Sequence, residues 1–231
     1  MPVQRGVLYG APNDPDVAAW LVLTNDDWNT HLRYIGAVPL ANPAALDDVP
    51  PHSPAVVLDG MGHHAVTAAL TSIDRDDDLG SSLGAATDDE LRHVEAALID
   101  LLDLRPLLRT PARALPLAPG PLSPMWGDIY FGPPRGERGA EEHKRYVVVS
   151  NNQWNVAMPQ VVCVRTTTSA RRGGPGFPEI QGGRARACCG QTTAIRTAGL
   201  ELRRRPVPSR LGLQDMVAIA RDIVDTYELR L

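Results

Sequence analysis

The densest reactive chemistry in this 231-residue chain is one run, Glu141-Glu142-His143-Lys144-Arg145, followed by a threonine run, Thr166-Thr167-Thr168. A guanidinium or ammonium group binds phosphate oxygens. An imidazole exchanges protons near neutral pH. Hydroxyls donate to oxyanions and amides read base edges. Arg165, Arg171 and Arg172 add positive charge nearby. The set suits an anionic, phosphate-bearing partner. It does not suit a metal: Cys163, Cys188 and Cys189 form no C-x-x-C pair, and His63 and His64 are neighbours that a strand turns to opposite faces. No metal and no cofactor is expected, and the cysteines read as buried strand residues.

Charge points the same way. Residues 1–104 hold 4 Arg and 17 Asp or Glu, a balance of −13. Residues 105–125 hold 3 Arg, and residues 126–231 hold 16 Lys or Arg against 10 Asp or Glu, a balance of +6. The basic half is the half that carries the reactive run, as expected for a polyanion partner. No apolar run is long enough for a membrane span, and the N-terminal residues lack the order of a signal peptide, so a cytoplasmic location is expected.

The elements that must position these residues come in two similar sets. Residues 105–125, RPLLRTPARALPLAPGPLSPM, contain six prolines and read as a semi-rigid linker between 1–104 and 126–231. Arg5-Gly-Val-Leu-Tyr9 matches Trp126-Gly-Asp-Ile-Tyr130, and Trp20–Asn29 matches Tyr146–Asn155, both ending in Trp-Asn. Gly36–Leu40 matches Gln160–Val164, and Thr71-Ser-Ile73 matches Thr193-Ala-Ile195. Each half closes with an amphipathic helix. Leu91, Val94, Leu98 and Leu101 line the first, behind a Thr87–Glu90 capping box; Met216, Ile219, Ile223 and Tyr227 line the second. Self-similarity at domain length indicates a tandem duplication. The expected class is α+β, mostly β: two small antiparallel barrels, each with a C-terminal helix, docked as a pseudo-dimer within the chain. Residues 1–104 are expected to fold alone.

The second half resembles the MazF/PemK toxin family. The residues that carry the resemblance are Gly127-Asp-Ile-Tyr130, Glu141–Asn151, Val161–Ser169, Gln191–Thr197 and Arg210–Met216. The family has a Gly-Asp-Ile strand, a charged loop ending in Arg-Pro, a strand ending in Ser-Asn-Asp, a strand ending in Thr-Ser and a Gln-x-Arg-type segment before the last helix. The resemblance implies SH3-like barrels and a metal-independent endoribonuclease that cuts single-stranded RNA and is restrained by a cognate antitoxin. The related CcdB branch poisons gyrase instead, but its Trp-Gly-Ile end is not matched by Tyr227–Leu231 here.

The resemblance also implies roles. Arg145 is taken as the cation on the scissile phosphate and Thr167 as its hydroxyl partner. The strand after Arg145 is one residue short of the family's, so Lys144 and Thr166 are the register alternatives. His143 is the candidate base for the ribose 2′-OH, with Glu141 and Glu142 as rivals. Gln191 is the candidate reader of a base edge, and Asn151, Arg165, Arg171 and Arg172 complete the RNA-contacting set. The first half carries Ala18 and Ala19 where Lys144 and Arg145 stand and no threonine run, so it is expected to be degenerate. The alternative function is a non-catalytic protein of the same fold, either a gyrase-poison-like binder or a regulator whose acidic half restrains its basic half.

Overall fold

The computed structural model describes residues 2–41, 55–58, 63–109, 124–132, 144–169, 174–200 and 210–231. The chain is mixed α and β, with two curled antiparallel half-barrel sheets and packed helices. The first sheet is built from β1 (Val7–Gly10), β2 (Ala19–Val22), β3 (Tyr34–Ala41), β4 (Ala55–Leu58), β5 (His63–Val66), β6 (Thr71–Asp74) and β7 (Ser82–Ala85). Its order is β4-β5-β3-β2-β1-β7, with β6 on β3. Helices α1 (Asp26–His31) and α2 (Asp88–Leu101) complete this set. The second sheet has the order β11-β12-β10-β9-β8, from β8 (Ile129–Gly132), β9 (Lys144–Val148), β10 (Gln160–Thr167), β11 (Glu179–Ile180) and β12 (Ala185–Arg196). Its helices are α3 (Leu104–Arg109), α4 (Asn152–Ala157) and α5 (Leu213–Tyr227). Neither strand order closes on itself among the described residues, so half-barrel is the observed form. No helix among the described residues is long and apolar enough to cross a membrane.

The same local motif recurs in both sheets. Asn25 and Asn151 each cap a short helix, their side chains accepting from Trp28 N and Trp154 N at 2.8 Å. An amide oxygen there satisfies a backbone donor that the helix leaves without a partner. Just before each cap, a buried hydroxyl meets a buried asparagine: Thr24 with Asn29, and Ser150 with Asn155. The Thr24 hydroxyl accepts from Gly36 N at 3.2 Å and the Ser150 hydroxyl from Val162 N at 2.9 Å.

These bonds correct one expected match. Gly36 stands where Val162 does, not where Gln160 does; short apolar runs of similar composition cannot fix register by themselves. Arg33 then stands where Pro159 does, and Arg75 N donates to Arg33 O as Thr197 N does to Pro159 O, at 2.8 Å each, so the match of Thr71–Ile73 with Thr193–Ile195 holds. The helix match holds. Gly6, with φ of 76°, packs on Leu91, and Gly127, with φ of 82°, packs on Met216. The capping box at α2 is formed, with Thr87 N donating to Glu90 at 2.7 Å and Glu90 N to the Thr87 hydroxyl at 3.3 Å.

The chain divides into two compact units that do not follow 1–104 and 126–231. One is Met1–Leu101 with Gly190–Thr193 and Ile223–Leu231; the other is Leu102–Cys189 with Ala194–Asp222. In the first unit Arg5 Nε donates to Leu23 O at 3.1 Å and Tyr227 O at 3.0 Å, and its terminal nitrogen pairs with the buried Glu95 at 2.7 Å. Asn25 N donates to Thr226 O at 2.8 Å. A side chain at Gly36 would collide with the Tyr227 ring. These bonds tie the end of the chain to the first unit. The start of the proline-rich stretch is also helical: Leu104 and Leu107 of α3 are buried, and Pro106 sits in the first turn, where the missing N–H costs nothing. Residues 110–123 lie outside the described residues.

Candidate functional site

The second unit's sheet brings one end of three strands together. Antiparallel pairing sets the end of β8 beside the start of β9, with Phe131 opposite Arg145 and Gly132 opposite Lys144. It likewise sets Arg165 of β10 opposite Tyr146. Continuing that register pairs Thr166 with Arg145 and Thr167 with Lys144, and the Thr166 hydroxyl donates to Arg145 O at 3.4 Å. Glycine is required at 132, because an ideal Cβ there would lie 2.6 Å from the Tyr146 ring. The face below is a packed cluster of Tyr130, Tyr146, Val148, Val161, Cys163, Ile195 and Leu200.

The strands are anchored from beneath by Asp128, which is 1% exposed. It accepts from Arg210 Nε at 2.7 Å, and from Met125 N and the Tyr130 hydroxyl at 3.1 Å each. A buried carboxylate is tolerated only with such a full set of partners. Cys163, Cys188 and Cys189 form no disulfide and are fully buried. Burial pushes the Cys163 and Cys189 thiols up, so they stay protonated, as suits core packing rather than chemistry.

At this strand end lies a cleft of about 350 Å³ lined by Ile129, Lys144, Arg145, Arg165, Thr166, Thr167, Thr168, Ser169, Ile180, Gln181 and Ala185. Three cationic and four hydroxyl-bearing residues line it, and none of the described lining residues is acidic. Arg145 is exposed and its guanidinium lies 5.8 Å from the Phe131 ring centre, a cation–π contact that restrains it. Arg165 is half-buried, and its Nε–H is buried with no hydrogen-bond partner among the described residues. The Thr167 hydroxyl accepts from Ser169 N at 3.2 Å, which shapes the rim.

Strand alternation sorts the four central residues into two pairs. Successive side chains face opposite sides of a sheet. Arg145 and Thr166 therefore share one face, and Lys144 and Thr167 the other. The expected pairing of Arg145 with Thr167 crosses faces.

Other expected residues lie elsewhere. Gln191 is 6% exposed within β12, belongs to the first unit and does not line the cleft. Asn151 is committed to capping α4. Glu141, Glu142, His143, Arg171 and Arg172 lie outside the described residues. Gln181, which no sequence motif marked, does line the cleft; its signal was the Gln-Gly-Gly turn between two strand runs. No group of three or more His, Cys, Asp or Glu among the described residues is arranged to hold a metal ion.

The first unit's sheet has different residues at the same positions. Trp20 faces Pro39 as Tyr146 faces Arg165, and Ala19 faces Leu40 as Arg145 faces Thr166. Ala18, Ala19, Leu40 and Ala41 thus occupy the places of Lys144, Arg145, Thr166 and Thr167. The first unit's own pocket, about 260 Å³, is lined by Asn13, Asp14, Trp20, Thr71, Ser72, Ile73 and Asp78. Its described lining has two carboxylates and no cation, the wrong sign for phosphate.

No family model matches the chain, and no curated protein matches it. Similar solved structures include an endoribonuclease from Mycobacterial species, 21% identical over 43% of this chain and 89% of that one, with a TM-score of 0.35. A second is an endoribonuclease in complex with its cognate antitoxin, also from Mycobacterial species, 22% identical over 42% of this chain and 91% of that one, TM-score 0.35. A third is MazF from Deinococcus radiodurans, 12% identical over 44% of this chain and 94% of that one, TM-score 0.35.

Proposed function

We propose that the chain is a toxin of the MazF/PemK kind, a tandem duplication whose second copy cleaves single-stranded RNA and whose first copy has lost the site. The observation that carries this reading is the cleft in which Lys144, Arg145 and Arg165 meet Thr166 and Thr167, with no acidic residue among the described lining residues. Its partners are single-stranded RNA and a cognate antitoxin.

The chemistry follows from these groups. The ribose 2′-oxygen attacks the neighbouring phosphorus while the bond from phosphorus to the 5′-oxygen breaks. The products are a 2′,3′-cyclic phosphate and a 5′-hydroxyl, the leaving 5′-oxygen taking its proton from water. Negative charge grows on the non-bridging oxygens, and fixed donors aimed at them lower the barrier. Arg145 is the main cation, because its planar fork holds two phosphate oxygens. Thr166, on the same face, turns its hydroxyl from the Arg145 carbonyl to donate to one of them. Arg165 and Lys144 hold the flanking backbone. Arginine is a poor base because it stays protonated. The 2′-OH proton goes to the segment entering β9: His143 is assigned the role, with Glu141 and Glu142 as its rivals.

The test is incubation of the full chain with defined single-stranded RNA in EDTA, with end-group analysis of the products. Cleavage leaving 2′,3′-cyclic phosphate ends is expected. A strict need for added magnesium, or 5′-phosphate ends, refutes the mechanism. Tight RNA binding without cleavage leaves a non-catalytic binder.

A further inference from the structure

We propose that Gln181 is the residue that selects the nucleobase in the cleft. This inference rests on the reading of that cleft as an RNA site. The lining combines two chemistries. Lys144, Arg145 and Arg165 supply cations that fit the phosphate, while Ile129, Ile180 and Ala185 supply apolar surface, and Gln181 follows Ile180 in the chain. A volume of about 350 Å³ lies at the small end of ligand pockets, generally about 300–1,000 Å³, and suits one nucleotide unit rather than a helix. Single-stranded RNA is read by placing a splayed base on an apolar surface and bonding its edge. Gln181 is the one primary amide among the described lining residues, with a donor and an acceptor side by side to match a base edge.

The backbone supports a selected role. Gln181 has φ of 56°, followed by Gly182 at 65° and Gly183 at 84°. Three successive positive φ values make a turn that glycine would adopt without steric cost, and glycine is used at the next two positions. A strained non-glycine residue at a ligand cleft is a sign that its side chain is needed. Its position is also held: Gln181 N donates to the Asp215 carboxylate, in the first turn of α5, at 3.2 Å. The amide is therefore presented by a fixed backbone, while the phosphate contacts are indifferent to sequence.

The experiment measures binding of fluorescein-labelled rA5, rC5, rG5 and rU5 to the full-length protein by anisotropy, alongside cleavage of a mixed-sequence RNA. Wild type is expected to separate its best and worst oligonucleotides by roughly tenfold or more, within the range of one good base contact. Gln181→Ala and Gln181→Gly are expected to bring the four within about threefold of one another. Gln181→Gly is expected to raise the melting temperature, because it relieves the positive φ, so the loss of selectivity is not a loss of folding. Arg145→Ala is expected to weaken all four alike. Unchanged base preference in both Gln181 variants overturns the inference, as does a wild-type protein that binds the four equally or not at all. Selective binding that depends on Gln181, with no cleavage of any RNA, upholds the inference and defeats the nuclease reading instead.

Discussion

If Arg145 and Thr166 act together on one phosphate, removing both should cost less than the product of removing each. A unit charge developing about 4 Å from a cation gains about 4 kcal/mol at an effective dielectric near 20, and about 1 kcal/mol in bulk water. Arg145 is exposed at its strand entry, so an intermediate value of about 2–3 kcal/mol applies. That is a loss of roughly 30–150-fold in kcat/KM for Arg145→Ala. Thr166 lies beside it, bonded to its carbonyl at 3.4 Å. Contacting residues on one ligand couple by about 0.5–3 kcal/mol, whereas residues with no shared partner add to within about 0.5 kcal/mol. The assay is a double-mutant cycle on kcat/KM with a fluorogenic RNA, run for Arg145/Thr166, Lys144/Thr167 and the cross-face pair Arg145/Thr167. Coupling of about 1 kcal/mol or more is expected for the first pair and additivity for the cross-face pair. A silent Arg145→Ala with a coupled Lys144/Thr167 pair would move the cation to Lys144. Strong coupling only across faces would refute the register argument itself.

Three further outcomes are expected. Asp128→Ala should destabilise the protein by about 3 kcal/mol in urea titration, since it strands Arg210 and two further donors in a largely buried setting; an unchanged midpoint would contradict the anchoring role. A fragment of residues 1–104 should show no cooperative unfolding transition, because it lacks Gly190–Thr193 and Ile223–Leu231, which belong to its compact unit; a sharp transition would show that these segments are dispensable. Asn151→Ala should cost about 1 kcal/mol of stability through the lost cap of α4, with RNA affinity unaltered; a selective loss of affinity would return Asn151 to the binding set.

Much of this protein was legible along the chain because its signals are local. The apolar period of Leu91, Val94, Leu98 and Leu101 and the Thr87–Glu90 box specify α2 within a few turns, and both bonds of the box are formed. The clustering of Lys144, Arg145, Arg165, Thr166 and Thr167 at one cleft follows from two neighbouring strands with charged and hydroxyl ends. What stayed hidden depends on long-range pairing. Alternation along a strand names two faces, but only the register of β9 against β10 decides that Thr166, not Thr167, shares a face with Arg145. Proline content marked 105–125 as a connection, yet burial of Leu104 and Leu107 makes its beginning a helix. Gln191 and Gln181 are equal in composition, and tertiary packing alone puts the first in the interior and the second in the cleft. The sequence thus determined the elements and the chemistry at hand, since propensity, caps and charge act over a few residues. The tertiary structure decided partners, faces and compact units, since those depend on which distant segments pack together and exclude water.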